Sequence, residues 1–526
     1  MTALSIATVA VCTLATAVAA LRWWRVAQRE HYLAGAATRF ALRWWRATPL
    51  NAALGLLGIA AGVSSIALHG AGLVAGVVAL GAPLGLSVRG RTSALAWTRR
   101  LRTLAGGTTL VCAIAVVPPG VGAGLAAAGT ALALSAMLLP LFVDLALFAL
   151  APLEYRLIGR YVTRATGIVR RVRPTVVAIT GSYGKTSTKG YLAHLLADRF
   201  AVVASPKSFN NRAGLARTVN EHLVVGTEVL IAEMGTYRPG EIAALCSWLT
   251  PRISVITAIG PVHLERFKSL DRTLAAKSEI AASAEVVVLN VDDARLAGLA
   301  ARLRAEGRRV IGASAGAPAS GVVPGDVVVR EEEGKLTLEV DGELVGSVPL
   351  AAAATLPAAT NAACAAAAAL ALGCRAEDLL SRLADLPVAE NRLARSVTAR
   401  GVVILDDTFN SNPAGARLAL AELARNALPD GRRVVVTPGM VELGPLQVEE
   451  NAALGAAIAA VASDLVVVAR TNRDALIAGA KRAIGGGARC SVRAVADRQA
   501  AVEWVRATLT EGDVALYEND LPDHFP

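Results

Sequence analysis

The stretch ITGSYGKTST, residues 179–188, follows a run of apolar residues and decides how the surrounding chain folds. It carries the glycines, lysine and threonine of a phosphate-binding loop, but the common pattern G-x-x-x-x-G-K-[ST] needs a glycine where this chain has Ile179. A strand, a glycine turn and a helix that begins near Lys185 would surround an anion with backbone N–H groups. Lys185 can reach the β- and γ-phosphates of a nucleotide, and the hydroxyl of Thr186 can bind Mg²⁺. The motif alone leaves open a shorter nucleotide loop or a glycine turn with an incidental lysine.

Composition and charge divide the chain into two parts. The 526 residues leave room for about three or four domains. A content of 54% hydrophobic residues and a mean hydropathy of +0.49 are more apolar than a purely soluble protein needs. The net charge of +11 arises before Pro174, where 17 arginines, no lysine and 3 acids give +14, whereas the remainder has 36 basic and 39 acidic residues, which gives −3. Basicity confined to the apolar third is typical of the inside loops of a membrane protein and argues against a nucleic-acid partner.

Apolar runs in this third predict a bundle of about five transmembrane helices, at 3–21, 50–67, 71–88, 103–119 and 121–151. The loops at 22–46 and 89–102 carry six and five arginines, so the positive-inside rule places residue 152 onward in the cytoplasm. The expected location is the cell (inner or plasma) membrane, multi-pass, with cytoplasmic catalytic domains and membrane lipid as a partner. A buried helical domain is the alternative, which so many uncharged runs disfavour.

From Pro174 the chain alternates β-branched strands with helical segments, which predicts an α/β fold with parallel sheets and crossover helices. Strands are expected at 175–180, 228–232, 253–259, 286–291, 402–405, 433–437 and 465–468. An antiparallel hairpin is expected within 326–350 and an alanine-rich helix at 351–372. The predicted domains are a transmembrane helical region at 1–152, a basic juxtamembrane linker at 153–173, a central ATP-binding α/β domain at 174–385 and a C-terminal Rossmann-like α/β domain at 386–526.

Eight further motifs follow the loop in order: SPKSFNNRAG (205–214), IAEMGTYRPGEI (231–242), ITAIGPVHLERFKSLD (256–271), AAKSEI (275–280), LNVDD (289–293), ENRL (390–393), LDDTFNSNP (405–413) and GMVELG (439–444). Together with TGSYGKTST they closely resemble the Mur ligase family, most of all its MurF type, over roughly residues 174–470. That family uses the shorter form of the ATP loop. The resemblance implies an ATP-dependent ligase that activates a carboxylate as an acyl phosphate and couples it to an amine, on a peptidoglycan or other cell-envelope precursor.

Three residues in these motifs can also be argued from their chemistry. Glu233 follows an apolar strand, where a carboxylate at the sheet edge could hold Mg²⁺ beside the loop. His263 could be a metal ligand or a core histidine, and the resemblance implies a ligand. Lys277 is one of only seven lysines among 53 basic residues, and the resemblance implies that it is carbamylated, which an arginine could not be.

The resemblance implies a full set of site residues. ATP contacts are expected at Thr180, Gly181, Ser182, Tyr183, Gly184, Lys185, Thr186 and Ser187, with Arg392 and Asp407 brought in by the last domain. Two Mg²⁺ ions are expected on Thr186, Glu233, His263 and the carbamylated Lys277, the catalytic residues are expected to be Lys185, Lys277 and His263, and Asn211 and Asn410 are expected on the substrate side.

Three departures from the family bear on the substrates. Apolar runs stand where the family has a domain that binds the UDP end of the precursor. A His-Asn pair before the alanine-rich helix is replaced by Pro357-Ala358, which leaves Asn361, and the final ALYENDLPDHFP lacks a Lys-Gly-Ser segment. The expected partners are a cell-wall precursor, lipid-linked or free, an amino acid or dipeptide, and other envelope-synthesis proteins. The alternatives are a poly-γ-glutamate synthase type of ligase and a non-catalytic membrane scaffold that retains the fold.

Overall fold

The N-terminal third folds into helices, which are α1 (Thr2–Arg29), α2 (Ala36–Arg46), α3 (Pro49–Ser64), α4 (Ala71–Gly81) and α5 (Arg99–Val172). The computed structural model describes residues 2–68, 70–90, 94–316, 326–350, 359–387, 393–409 and 411–526. The chain forms two compact units, one of residues 1–157 with 521–526 and one of residues 158–520.

Not all of these helices are long enough to cross a membrane. Helix α4 has 11 residues and α3 has 16, which makes them roughly 17 and 24 Å long, shorter than a hydrocarbon core of about 30 Å. The two last predicted runs merge into α5, which is interrupted at Gly124 (φ 78°, ψ −169°). By length and composition, the described residues contain two helices able to cross a membrane, α1 and α5, or three if α2 and α3, bent by 119°, count as one. The prediction of about five transmembrane helices is therefore not confirmed.

The segment 521–526 packs within the helical unit. Arg25 pairs with Asp523 at 2.6 Å, and both side chains are almost fully buried. His524 lies 3.0 Å from Glu30, which is also buried. Because a buried charge needs a partner, each of these contacts ties the segment to a helix.

The second unit contains a nine-stranded sheet of β1 (Thr175–Thr180), β2 (Val202–Ala204), β3 (Val229–Glu233), β4 (Ile253–Ile256), β5 (Val286–Asn290), β6 (Arg309–Ser314), β7 (Val327–Glu332), β8 (Lys335–Val340) and β9 (Glu343–Pro349). The strand order is β2-β3-β1-β4-β5-β6-β7-β8-β9. All neighbouring strands from β2 through β1 to β7 in this order pair in parallel, and β7, β8 and β9 pair antiparallel. The hairpin predicted within 326–350 is confirmed, with a third strand added.

Helices cover both faces of this sheet: α6 (Lys185–Leu196), α7 (Arg212–His222), α8 (Glu241–Leu249), α9 (Leu264–Phe267), α10 (Leu270–Ser278), α11 (Ala294–Ala305), α12 (Ala359–Ala371) and α13 (Ala376–Leu383), with a 3₁₀ turn at Glu279–Ala281. Successive strand residues point to opposite faces, so Val177 and Ile179 pack under α6 and α12 while Val176 and Ala178 belong to the core on the other face. The alanines of α12 are buried, and their small side chains allow close approach to the strands.

A second, six-stranded sheet follows, with β10 (Ala394–Val397), β11 (Val403–Asp407), β12 (Arg433–Thr437), β13 (Asp464–Val468), β14 (Ser491–Val495) and β15 (Val514–Glu518). Its order is β10-β11-β15-β12-β13-β14, parallel except for β10. Its helices are α14 (Pro413–Asn426), α15 (Gln447–Val461), α16 (Arg473–Gly485) and α17 (Arg498–Thr508), with a 3₁₀ turn at Gly444–Leu446. The α/β prediction for the chain after Pro174 is confirmed, and the carboxyl ends of β1, β3 and β4 share one edge of the first sheet.

Candidate active site

The loop of residues 181–184 connects the end of β1 to the start of α6. Ser182 is buried, donates its hydroxyl to the Gly260 carbonyl (3.1 Å) and accepts the Gly260 N–H (2.9 Å). Gly184 has a φ of 82°, and a Cβ at that position would collide with the side-chain oxygen of Asn361. The loop is therefore a turn that requires glycine, that is held by hydrogen bonds to Gly260, and that lies at a helix N-terminus. This is the arrangement that binds phosphate.

Other predicted loop residues hold the same turn. Thr180 donates its hydroxyl to the Met234 carbonyl at the end of β3 (2.8 Å). The Tyr183 ring lies against Gly260, and burial raises the pKa of its phenol. Ser187 lies on the first turn of α6 and is half-buried. These contacts keep the loop backbone in place beneath the helix start.

Two lysine amines meet at one carbonyl oxygen. Lys185 donates from Nζ to the Gly181 oxygen (2.7 Å) and to the Ser182 oxygen (3.3 Å). Lys277, on α10 and only 3% exposed, donates to the same Gly181 oxygen (3.0 Å). Burial, and then the charge of Lys185, hold the pKa of Lys277 well below its usual range. The Lys277 amine is therefore disposed to be neutral beside a charged Lys185.

Glu233 ends β3 and is fully enclosed by donors. Its Oε2 accepts from the Thr186 hydroxyl (3.1 Å) and from the Lys189 amine (2.9 Å), and its Oε1 accepts from the Asn210 amide (3.0 Å). Burial alone would raise the pKa of Glu233, but Lys189 and Lys185 outweigh it and lower the pKa. Glu233 is therefore an anion at the helix start, next to the hydroxyl of Thr186.

The Thr186–Glu233 pair fits a magnesium site. Mg²⁺ in nucleotide enzymes is usually held by one or two carboxylates or hydroxyls, with phosphate oxygens and water completing the octahedron. Among the residues that the structure describes, no group of three or more His, Cys, Asp or Glu side chains is arranged to hold a metal. A donor set of one hydroxyl and one carboxylate therefore leaves most positions for the nucleotide and for water.

His263 lies at the start of α9, with its side chain 25% exposed and its φ at 62°. Its Nδ1 is hydrogen-bonded to Oε2 of Glu442, which comes from the segment after β12 in the second sheet. Burial is the largest cause that lowers the pKa of His263, and the charge of Lys185 adds to it, so the imidazole lies within the field of the loop lysine. Glu442 opposes this shift.

The second sheet carries Asp407, at the end of β11. It lies opposite Glu518 in the paired strand β15 and accepts a hydrogen bond from the Leu393 N–H (3.2 Å). Burial, and then the charge of Asp407, raise the pKa of Glu518 well above its usual range, so both causes favour the protonated form of Glu518. Arg392 and Asn410, both predicted site residues, lie outside the described residues, as do Pro357 and Ala358.

Sequence reasoning missed three residues of the site. Lys189 lies one helical turn after Lys185, and the only signal for it in the sequence was that lysines are rare in this chain. Asn210, not its neighbour Asn211, binds Glu233; Asn211 caps α7 by accepting the Gly214 N–H (2.9 Å). Glu442 lies within the quoted motif GMVELG, but nothing in the sequence connects it with a histidine 179 residues away.

Comparison with known proteins gives two matched family descriptions. Residues 179–370 match the Mur ligase middle domain, and residues 391–517 match the domain described as "Mur ligase, glutamate ligase domain". The first match begins at the end of β1, and the two together cover the two sheets except for the first residues of β1 and the last residue of β15.

Individual relatives extend the match. A UDP-N-acetylmuramoyl-tripeptide–D-alanyl-D-alanine ligase of Mycobacterium tuberculosis (strain CDC 1551 / Oshkosh) is 34% identical over 361 residues, which is 65% of this chain and 69% of the relative. The ligase of that name from Escherichia coli (strain K12) is 28% identical over 284 residues, covering 53% and 61%. Among solved structures, MurF of Acinetobacter baumannii aligns with a TM-score of 0.58 and 25% identity, covering 69% of this chain and 77% of that one. MurF of Thermotoga maritima in complex with ADP aligns with a TM-score of 0.57 and 25% identity, covering 69% and 80%.

These findings correct the predicted location. The relatives are named as ligases of this one activity, and the family match begins only at residue 179. The apolar helices before it hint at membrane association, but within the described part of the chain only two, or three with the bent pair, reach spanning length. The prediction of a multi-pass cell-membrane protein is therefore wrong, because it inferred spans from apolar composition alone.

Proposed function

This chain belongs to the Mur ligase family of ATP-dependent amide ligases, and we propose that it joins a carboxylate of a peptidoglycan precursor to the amine of D-alanyl-D-alanine. The names of the relatives support the two substrates. The observation that carries the proposal is the convergence of the Lys185 and Lys277 amines on the Gly181 carbonyl, at 2.7 and 3.0 Å, beside the Thr186–Glu233 pair. The predicted domains stay proposals: residues 174–385 as the ATP-binding domain and residues 386–526 as the domain that closes over the nucleotide. Residues 1–152 and the linker 153–173 are given no role in this reaction.

The proposed chemistry has two steps. A carboxylate oxygen attacks the γ-phosphorus of ATP, the bond to the β–γ bridging oxygen breaks, and ADP leaves. The amine then attacks the carbonyl carbon of the acyl phosphate, loses a proton and expels phosphate as the amide forms.

The chain's own groups stabilise charge in the first step. Lys185 can turn from the Gly181 oxygen to the phosphates and offset the negative charge on the transferring phosphoryl group. Thr186 and Glu233 would hold a Mg²⁺ ion, which when bound neutralises phosphate charge. Ser182 and Gly184 keep the loop backbone fixed, so that its N–H groups need no rearrangement during transfer.

Lys277 is proposed to be carbamylated. Only a neutral amine adds CO₂, a reaction that forms the N–C bond and releases one proton. The buried Lys277 amine, with its pKa lowered, meets this condition. Carbamylation would place a new carboxylate beside the charged amine of Lys185, where the two could form an ion pair, and this carboxylate would join His263 as a second set of ligands for Mg²⁺.

The remaining predicted site residues stay proposals. Asp407 is proposed to approach the nucleotide with Arg392 when the last domain closes, which would also exclude water from the acyl phosphate. Asn211 is proposed to act on the substrate side at the start of helix α7, which it caps, and Asn410 through the segment before α14.

Turnover by the purified full-length chain tests the proposal. ADP release is measured with ATP, Mg²⁺, UDP-muramoyl tripeptide and D-alanyl-D-alanine, and the product is weighed by mass spectrometry. We expect release only when both substrates are present, and a loss of about 10²-fold or more in Lys185→Ala, the usual effect of removing a transition-state charge.

Lys335→Ala is the matched control, because Lys335 is an exposed lysine on β8. Parallel reactions contain glutamate in place of the dipeptide, or a precursor without its nucleotide. ADP release that needs no acceptor, or that survives in Lys185→Ala, would contradict the ligase proposal. Release with glutamate alone would favour a γ-glutamate polymerase instead.

A further inference from the structure

Glu442, from the segment after β12 of the second sheet, binds two residues at helix α9, which belongs to the helices around the first sheet. Glu442 binds His263 Nδ1 through Oε2, and its Oε1 accepts from Nη2 of Arg266 at 3.2 Å. The three side chains are only 25%, 21% and 12% exposed for His263, Glu442 and Arg266. Both oxygens of one carboxylate are therefore used by two residues of a single helix start.

The segment that carries Glu442 is built rigidly. Its Met440 N–H donates to the side-chain oxygen of Asn451 (2.8 Å), and Met440 O accepts from the amide nitrogens of Asn451 and Asn472 (2.9 and 3.0 Å). Both asparagines are buried. Glu442 itself has a φ of 64°, a conformation that few non-glycine residues adopt. Buried amides of the second sheet thus fix the backbone at Met440, two residues before Glu442, whose own backbone has an uncommon geometry.

The contact extends to the backbone. The Glu265 N–H donates to the Glu442 carbonyl at 3.4 Å, and Gly444 lies so close to α9 that a Cβ there would sit 3.2 Å from the Leu264 carbonyl carbon. On its other side, the His263 ring makes an edge contact with Tyr237, with ring centroids 5.1 Å apart. The imidazole is therefore confined between Tyr237 and Glu442 and has little freedom to rotate.

This arrangement selects one form of the imidazole. An ionised carboxylate only accepts hydrogen bonds, so Nδ1 of His263 carries the proton in its bond to Glu442. In the neutral ring Nε2 is then unprotonated, which is the state that a metal requires. Histidines that bind metals commonly donate their other ring N–H to such a carboxylate, which fixes the tautomer and the ring orientation.

We propose that Glu442 is a positioning residue that sets the tautomer and orientation of His263 for metal binding. The inference rests on the proposed role of His263 as a metal ligand. It adds that a residue of the second sheet orients this ligand, whereas Thr186, Glu233 and Lys277 belong to the first sheet and its helices. The metal site and the contact between the two sheets then depend on each other.

Metal binding by the full-length chain tests this. Binding of Mn²⁺, which stands in for Mg²⁺, is measured by electron paramagnetic resonance in the presence of a non-hydrolysable ATP analogue. We expect Glu442→Ala to weaken one Mn²⁺ site by about 10- to 100-fold, the usual effect of losing such a carboxylate, with ATP affinity unchanged. The exposed Glu449→Ala, on α15, is the matched control. Glu442→Gln, which still accepts a hydrogen bond but lacks the charge, is expected to fall between the two.

Tautomer state gives an independent readout. In protein labelled with ¹⁵N-histidine, the ring of His263, assigned by its loss in His263→Ala, is expected to show a protonated Nδ1 in the wild type. In Glu442→Ala that preference is expected to disappear. A purely structural role would lower thermal stability and leave both the tautomer and the Mn²⁺ dissociation constant unchanged.

Two results would overturn the inference, and they differ from failure of the proposed function. If His263→Ala weakens Mn²⁺ binding but Glu442→Ala and Glu442→Gln stay within twofold of the wild type, Glu442 does not position the ligand. If His263→Ala itself changes nothing, His263 is not a metal ligand, and the proposed metal set fails at that point. Glu442→Gln retains the size of the side chain and keeps the test valid if Glu442→Ala does not fold.

Discussion

Replacing Lys189 with methionine tests how the ATP loop is anchored to strand β3. In the wild type, Lys189 binds Glu233 Oε2 at 2.9 Å and also donates to the carbonyl of Lys207 at 2.5 Å. The methionine side chain has nearly the same length but no charge, so it leaves the packing in place and removes both contacts. The carboxylate of Glu233 then remains buried with one partner fewer.

The magnitude follows from burial. The side chains of Lys189 and Glu233 are only 7% and 1% exposed, and breaking such a buried pair from one side costs about 3–5 kcal/mol. Glu233 keeps its hydrogen bonds from Thr186 and Asn210, which favours the lower end of that range. A loss of about 3 kcal/mol corresponds to a factor of roughly 150 in an opening equilibrium.

Hydrogen–deuterium exchange measures the effect locally, which suits a chain of several domains. Amides in β1, β3 and α6 of Lys189→Met are expected to exchange about two orders of magnitude faster than in the wild type. Lys335→Met, at an exposed position on β8, is the control and is expected to change nothing. In Lys189→Met/Glu233→Gln the charge left unpaired is also removed, so part of the protection is expected to return.

The pH dependence has a definite sign. In the wild type the pKa of Glu233 is lowered, so the ion pair stabilises the fold above the unfolded-state pKa and is lost as pH falls through the folded-state pKa. Without Lys189, burial is less opposed and the pKa of Glu233 rises. The difference between variant and wild type should therefore shrink in acid. An acceleration below tenfold at neutral pH, or one matched by the control, would refute the argument that this ion pair anchors the loop.

Lys277→Arg is expected to abolish turnover and to lose the ¹³C carbamate signal that the wild type shows with labelled bicarbonate, since arginine cannot be carbamylated; an active variant would contradict the proposal. Because the folded-state pKa of Lys277 is lowered, apo stability should rise with pH up to the unfolded-state pKa of about 10.4; thermal unfolding of Lys277→Met at several pH values should show a flatter rise. Glu233→Gln should raise the Mg²⁺ concentration needed for half-maximal ADP release by about tenfold, with no such change in Glu449→Gln. Arg25→Met leaves Asp523 charged and buried, at a cost of about 3–5 kcal/mol, so limited proteolysis should cut near residues 521–526 in the variant before it does in the wild type.

Local patterns were enough for the elements that carry the loop. The apolar run, the glycine turn and the lysine-threonine pair predict a strand, a turn and a helix, and β1 occupies the predicted residues 175–180. The hairpin within 326–350 was also predictable, because strand alternation and the turn at Glu333-Gly334 lie next to each other in sequence. The length of the N-terminal helices was not predictable, because hydropathy records composition and does not show that Gly124 interrupts α5 or that a new helix begins at Pro49.

The order of the strands in each sheet could not be predicted from such local patterns. Strand β15 lies between β11 and β12 although it is the last strand of the chain, and a short apolar run does not state which neighbours it will pair with. The segment 521–526, which packs with the first helices, illustrates the same point. Contacts between distant parts of a chain depend on how whole elements pack.

The sequence by itself determined the family, the ATP loop and the identity of Lys185, Thr186, Glu233 and Lys277 as candidates, because those residues sit at set spacings within short motifs. The tertiary structure alone decided their electrostatic state. It buries Lys277 against the Gly181 carbonyl, supplies Lys189 to the anion of Glu233, and brings Glu442 to His263 across 179 residues of chain. The reason is physical: burial and neighbouring charge set the pKa and the hydrogen-bonding state of a side chain, and both exist only after the sheets have packed.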